Sequence, residues 1–119
     1  MTHEMRLDSA PFAAIARGEK TVEMRLYDEK RRQIAVGDEI LFSERGGTAA
    51  LTATVVALHI FPSFTELYAA FPKEALGYAA GETAHPSDME KYYSPAEQRM
   101  HGVVGIEITC GTAGKEGLS

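Results

Sequence analysis

From Thr21 to Tyr27 the chain alternates: Val22, Met24 and Leu26 are apolar, while Thr21, Glu23, Arg25 and Tyr27 carry polar groups. Period-two alternation puts the two sets on opposite faces of an extended strand. One face is therefore expected to pack on a core and the other to carry charge toward solvent or a cleft. Glu4 to Leu7 follows the same rule and predicts a first strand with Met5 and Leu7 inward. Between the two strands, Asp8 or Ser9 can cap a helix with Pro11 in its first turn and Phe12, Ile15 and Ala16 as its inward stripe. Gly18 closes that helix, since glycine takes φ > 0 without steric cost.

Tyr27 to Gln33 is polar and reads as a surface loop, after which Gly37-Asp38 turns the chain into a strand centred on Ile40, Leu41 and Phe42. Gly46-Gly47 supplies a hairpin turn, and Ala50 to Ile60, rich in Thr, Val, Leu and Ile, returns as a long partner strand. Ser63 to Glu66 has capping-box spacing, and Phe64, Leu67, Tyr68 and Phe71 recur at helical intervals up to Pro72. Lys73 to Pro86, with Gly77 and Gly81, reads as a turn of helix and then a flexible loop able to cover a cleft. Ser94-Pro95-Ala96-Glu97 is a second capping box whose helix stops at Gly102, and Val103 to Cys110 forms a last strand with Val104, Ile106 and Ile108 on one face. The pattern predicts one domain over residues 1–110 and a flexible tail over 111–119.

Composition narrows the function classes. A chain of 119 residues with 45% apolar and 24% charged residues can bury one core. No apolar run reaches membrane-spanning length and the start lacks a signal-peptide pattern, so a cytoplasmic protein is expected. Cys110 alone makes no internal disulfide, and the four histidines lack ligand spacing, so neither a metal nor a cofactor is expected. The net charge of −5 argues against broad phosphate binding, yet Arg17 to Arg32 holds six cationic residues against four carboxylates. A local basic patch on an acidic body suits a small anionic ligand or a short single strand. For Lys30, Arg31 and Arg32 a solvated loop is the preferred reading.

The chemistry concentrates in Gly18-Glu19-Lys20-Thr21-Val22-Glu23-Met24-Arg25. Arg25 can fork onto a phosphate or base edge, Glu23 can accept from an exocyclic amine, and Lys20, at the bend, supplies a point charge. The competing reading is a surface ion pair of little energetic value. Tyr92 and Tyr93 are candidates for base stacking, but parity forbids both facing inward on a strand; Tyr92 is assigned to the core and Tyr93 is evenly balanced. Ser94 reads as a helix cap before a nucleophile, and Lys91 as a solvated side chain or a phosphate contact.

Pro11-Phe12 with Ile15, the GxKxxExR pattern of Gly18, Lys20, Glu23 and Arg25, Ile34 with Gly37-Asp38, and Tyr93-Ser94 leading to Gly102-Val103-Val104-Gly105-Ile106 together resemble the ASCH domain family. The resemblance runs from Met5 to Ile108. It implies an α+β fold, a PUA-like small mixed β-barrel with flanking helices, and single-stranded RNA or a modified nucleoside as ligand. With the reading of the residues above, the candidate binding site comprises Lys20, Thr21, Glu23, Arg25, Lys91, Tyr93 and Ser94. The resemblance also implies two enzymatic alternatives, an amidohydrolase acting on N4-acetylcytidine and a ribonuclease-like activity. For the amidohydrolase branch Lys20 and Thr21 carry over, but Glu23 stands where that branch places a threonine nucleophile. Catalysis here would then use Lys20 and Glu23, with Glu23 as general base for water and Lys20 or Arg25 stabilising the oxyanion. A third reading is an interaction domain without a nucleic-acid role.

Overall fold

Alternation in the sequence becomes five strands in the computed structural model, which describes residues 1–110: β1 (Thr2–Leu7), β2 (Val22–Leu26), β3 (Glu39–Glu44), β4 (Ala50–Phe61) and β5 (Val103–Thr109). Helix α1 (Ser9–Ala16) joins β1 to β2, α2 (Phe64–Ala70) follows β4, and α3 (Pro95–His101) precedes β5. Short 3-10 turns span Arg31–Gln33 and Pro86–Lys91. The reading of 111–119 as a tail lies outside the described residues.

The strands form a single sheet in the order β1-β3-β4-β5-β2, with β1 parallel to β3 and every other pair antiparallel. It is a mixed sheet curled into a half-barrel, flanked by helices, and the fold class is α+β. A register shift between Val55 and Ala57 marks a bulge that bends the long strand β4. The curl brings the two edge strands, β1 and β2, toward each other without backbone pairing. Arg25 Nη2 on β2 donates to the Arg6 carbonyl on β1 at 3.0 Å, tying the seam with a side chain.

Around β2 and β5 both faces of the sheet are covered, and these strands are buried on both parities, whereas burial alternates along β1, β3 and the first half of β4. On the concave face Met5, Leu7, Ile40, Phe42, Val55, Val104 and Ile106 pack with Phe12 and Ile15 of α1. On the other, Val22, Met24, Leu26 and Val103 pack with Phe64, Leu67, Leu76 and Met89. Phe42 and Ile40 are fully buried, and each such side chain contributes roughly 1.5–3 kcal/mol.

Helix α1 buries Phe12, Ala14 and Ile15, whereas Ala16, expected inward, is exposed. Ile15 of the last turn fills the core, and Ala16, one residue on, is turned away from it. Its N-cap is Asp8, whose side chain makes no cap hydrogen bond. At α2 the Ser63 side chain accepts from Thr65 N, and no reciprocal capping box forms. The box predicted at Ser94 does form, and Gly102 ends α3 at φ 73°.

Candidate functional site

The bend that carries Lys20 is fixed by backbone bonds. Glu19 N and Lys20 N both donate to Ala14 O, at 2.9 and 3.1 Å, and Thr21 N and Val22 N both donate to Ala75 O at 3.0 Å. The Lys20 side chain then lies along Gly77, where a Cβ would sit 2.9 Å from Lys20 Cδ. Gly77 also holds φ +103°, a conformation that side-chain-bearing residues rarely adopt. Glycine at this position admits the lysine stem.

Lys20 Nζ meets Glu23 Oε1 at 2.9 Å, and Arg25 Nε meets Glu23 Oε2 at 2.7 Å. The sequence suggested a polar face toward solvent or a cleft; these side chains line a cleft, and they are deeply set, with Glu23 3% exposed and Lys20 8%. The register explains this: Glu23 pairs with Ile106 and Arg25 with Val104, so both side chains project from the concave face, among the primary core. Burial by itself pushes the Glu23 carboxyl up, but the charges of Lys20 and Arg25 and their hydrogen bonds outweigh it and hold the group below the usual carboxylate range. For Arg25, burial lowers, and the charges and hydrogen bonds of Glu23 and Tyr93 together outweigh it and hold the guanidinium above its ordinary value. The trio is one buried anion between two cations; Arg25 is also in hydrogen-bonding reach of the Tyr93 hydroxyl, and two Lys20 ammonium hydrogens have no partner among the described residues. Each oxygen of Glu23 is engaged by its own cation.

Two adjoining cavities open here. The smaller, about 110 Å³, lies in the seam and is lined by Arg6, Leu7 and Asp8 from the β1 side, Lys20, Glu23 and Arg25 from the β2 side, and Arg45, Tyr92 and Tyr93 at its margin. The larger, about 960 Å³, runs beneath the segment 74–82 and includes Lys20, Tyr68, Tyr78, Asp88, Lys91 and Tyr92. Pro11, Lys20, Met24, Met89 and Tyr92 line both, so the two are chambers of one cleft. The covering segment is tied in place by Lys73 Nζ, which donates to Ala80 O and Glu82 O.

Lys20, Glu23, Arg25 and Tyr93 come together at the small chamber, and Lys91 lines the large one. Thr21 and Ser94 line neither. Thr21 serves the backbone, its carbonyl accepting from Ile108 N at 2.9 Å, while Ser94 Oγ accepts from Glu97 N at 3.1 Å. The tyrosines reverse the core expectation. Tyr92 is 49% exposed at the cleft mouth with Lys91 Nζ 5.1 Å from its ring centroid, whereas half-buried Tyr93 stacks on Phe64 at 6.1 Å. Parity failed because these residues leave a 3-10 turn rather than run along a strand.

Sequence reasoning missed Arg6, Asp8 and Arg45 around the small chamber, and the chain Tyr68–Tyr78–Asp88 in the large one. Arg6 was legible only as the outward residue of β1; no periodicity links the others. Among the described residues no cluster of three or more His, Cys, Asp or Glu could hold a metal, and no helix is long and apolar enough to cross a membrane.

The family model for the ASCH domain matches residues 5–110. Among solved structures, the crystal structure of the hypothetical protein PH0355 is 33% identical with a TM-score of 0.75, covering 92% of this chain and 99% of that one. The solution structure of protein PF0455 from Pyrococcus furiosus is 34% identical with a TM-score of 0.66, covering 92% and 97%. Among curated proteins none matches the sequence.

Proposed function

This chain belongs to the ASCH domain family, and from that premise we propose that it is a binding module taking a modified nucleoside or a short single-stranded RNA into the cleft at the β1–β2 seam. The observation that carries the reading is the Lys20–Glu23–Arg25 trio, which presents fixed positive charge and the free hydrogens of Lys20 to a chamber with Tyr92 and Tyr93 at its margin. Cation plus aromatic ring is the combination that single-stranded nucleic acid uses.

The same trio weighs against hydrolysis. A general base works best with a pKa near the operating pH, and the Glu23 carboxyl is held below its ordinary value with both oxygens engaged by cations. Ser94, the candidate nucleophile, faces its own helix terminus, with its hydroxyl engaged as a cap.

Incubation with N4-acetylcytidine and with a short single-stranded RNA, followed by measurement of retained ligand and of released acetate or cleaved strand, tests the proposal. Retention without turnover is the expected result, with RNA affinity falling only shallowly with salt because few cations line the cleft. Acetate release or strand cleavage abolished by Glu23→Gln would establish an enzyme instead. Retention of neither compound would leave the interaction-domain reading.

A further inference from the structure

The two chambers differ in charge and in hydrogen-bonding polarity. The small chamber sets four cationic side chains against two carboxylates, and Arg6 has no carboxylate partner among the described residues. The large chamber sets three cations, one of them the shared Lys20, against four carboxylates. An anionic group is thus favoured at one end of the cleft and disfavoured at the other.

In the large chamber the polarity can be read atom by atom. Tyr78 donates its hydroxyl hydrogen to Asp88 Oδ2 at 2.7 Å. The Tyr68 and Tyr78 hydroxyls lie 2.8 Å apart, and since Tyr78 has spent its only hydrogen, Tyr68 must donate to Tyr78. The hydrogen-bond chain between Tyr68, Tyr78 and Asp88 therefore runs in one direction, and the Tyr68 oxygen is left as an acceptor facing the cleft. Burial, with help from the two hydrogen-bonding neighbours, pushes the Tyr78 hydroxyl well up, so that it stays a donor; Tyr78 in turn holds the Asp88 carboxyl down, so that it stays an acceptor.

We infer that the cleft is built for a nucleoside monophosphate, held end-on, with its phosphate in the seam chamber against Arg6, Arg25, Arg45 and Lys20, and with a hydrogen-bond-donating edge of its base on the Tyr68 oxygen. This deepens the binding reading and rests on it. The free nucleotide and the phosphorylated terminal nucleotide of a strand share this chemistry. The phosphate uses the free hydrogens of Lys20 and the positive charge of Arg25, and the neutral base fills the chamber that repels anions. Tyr92, which lines both chambers, stands where sugar or base passes between them.

The test is calorimetric titration with cytidine, cytidine monophosphate, inorganic phosphate, and one short RNA with and without a terminal phosphate, on the parent chain and on Arg6→Gln/Arg45→Gln and Tyr68→Phe. Both variants change exposed or half-buried side chains and keep the core intact. The monophosphate is expected to bind about tenfold more tightly than cytidine, as charge-assisted bonds to phosphate allow. Arg6→Gln/Arg45→Gln should erase that advantage and leave cytidine unchanged. Tyr68→Phe should weaken cytidine and its monophosphate alike by about three- to tenfold, and leave inorganic phosphate unchanged. A terminal phosphate that strengthens RNA binding assigns the site to strand ends, and one without effect on RNA assigns it to the free nucleotide. Equal affinity for cytidine and its monophosphate overturns the inference while the binding reading stands. So does a loss of phosphate affinity in Tyr68→Phe. Binding of none of the probes overturns both.

Discussion

Glu23 cannot be understood apart from its two neighbours. A carboxylate buried on the concave face is tolerated only because Lys20 and Arg25 each engage one oxygen. Removing Lys20 leaves Glu23 Oε1 buried without its cation while Arg25 still holds Oε2, a loss of about 1–3 kcal/mol. Lys20→Met, which keeps the apolar stem, is therefore expected to lower stability by about 2 kcal/mol in a urea titration, and Glu23→Gln in the same background should recover part of it. A Lys20→Met midpoint close to that of the parent would mean that the trio is solvated. Gly77→Ala places a side chain in left-handed backbone and against Lys20 Cδ, so a loss of about 1–3 kcal/mol and weaker nucleoside binding are expected from the same assays. The types and spacing of Lys20, Glu23 and Arg25 were visible in the sequence. Their burial was not, because the wall that encloses them is Val104 and Ile106 from the far end of the chain.

Elements were legible where periodicity and turn chemistry agreed. The β3–β4 hairpin and the Ser94–Gly102 helix follow from Gly46-Gly47, from strand alternation and from a reciprocal capping box that the structure forms in full. Ser94→Ala should then cost about 1 kcal/mol in thermal or chemical unfolding. Ligand retention should be unaffected, whereas a Ser94 nucleophile would show as loss of turnover without loss of stability. Illegible was the 3-10 turn that turns Tyr92 outward, because it carries no repeat from which direction can be read, whereas the segment 74–82, within the stretch read as a loop able to cover a cleft, lines the large chamber. The outward turn of Tyr92, expected in the core, shows how far a parity argument depends on the element it assumes.

At the scale of the whole molecule, the pairing of β1 with β3 is locked by Asp38. It faces His3 Nε2 at 2.8 Å, accepts from Ala35 N at 3.0 Å and lies near the Met1 amine. Led by the His3 contact, these lower its carboxyl from 3.8 to about 2. A carboxyl depressed on folding stabilises above its unfolded value and loses that contribution as pH falls through the folded one. Stability is therefore expected to decline between about pH 4 and about pH 2, and Asp38→Asn should flatten that part of a pH series of melts. The seam carries a different consequence. An unpaired strand edge is a template on which another chain can add, and here two edges face each other across a gap. Arg25 fills that gap, one nitrogen on Glu23 and another on the Arg6 carbonyl, so an intruding strand would have to displace a desolvated cation. The site thus doubles as a guard against fibrillar pairing. Arg25→Leu should scatter light on mild heating well before the parent does, and loss of function in such variants would reach an observer first as loss of soluble protein.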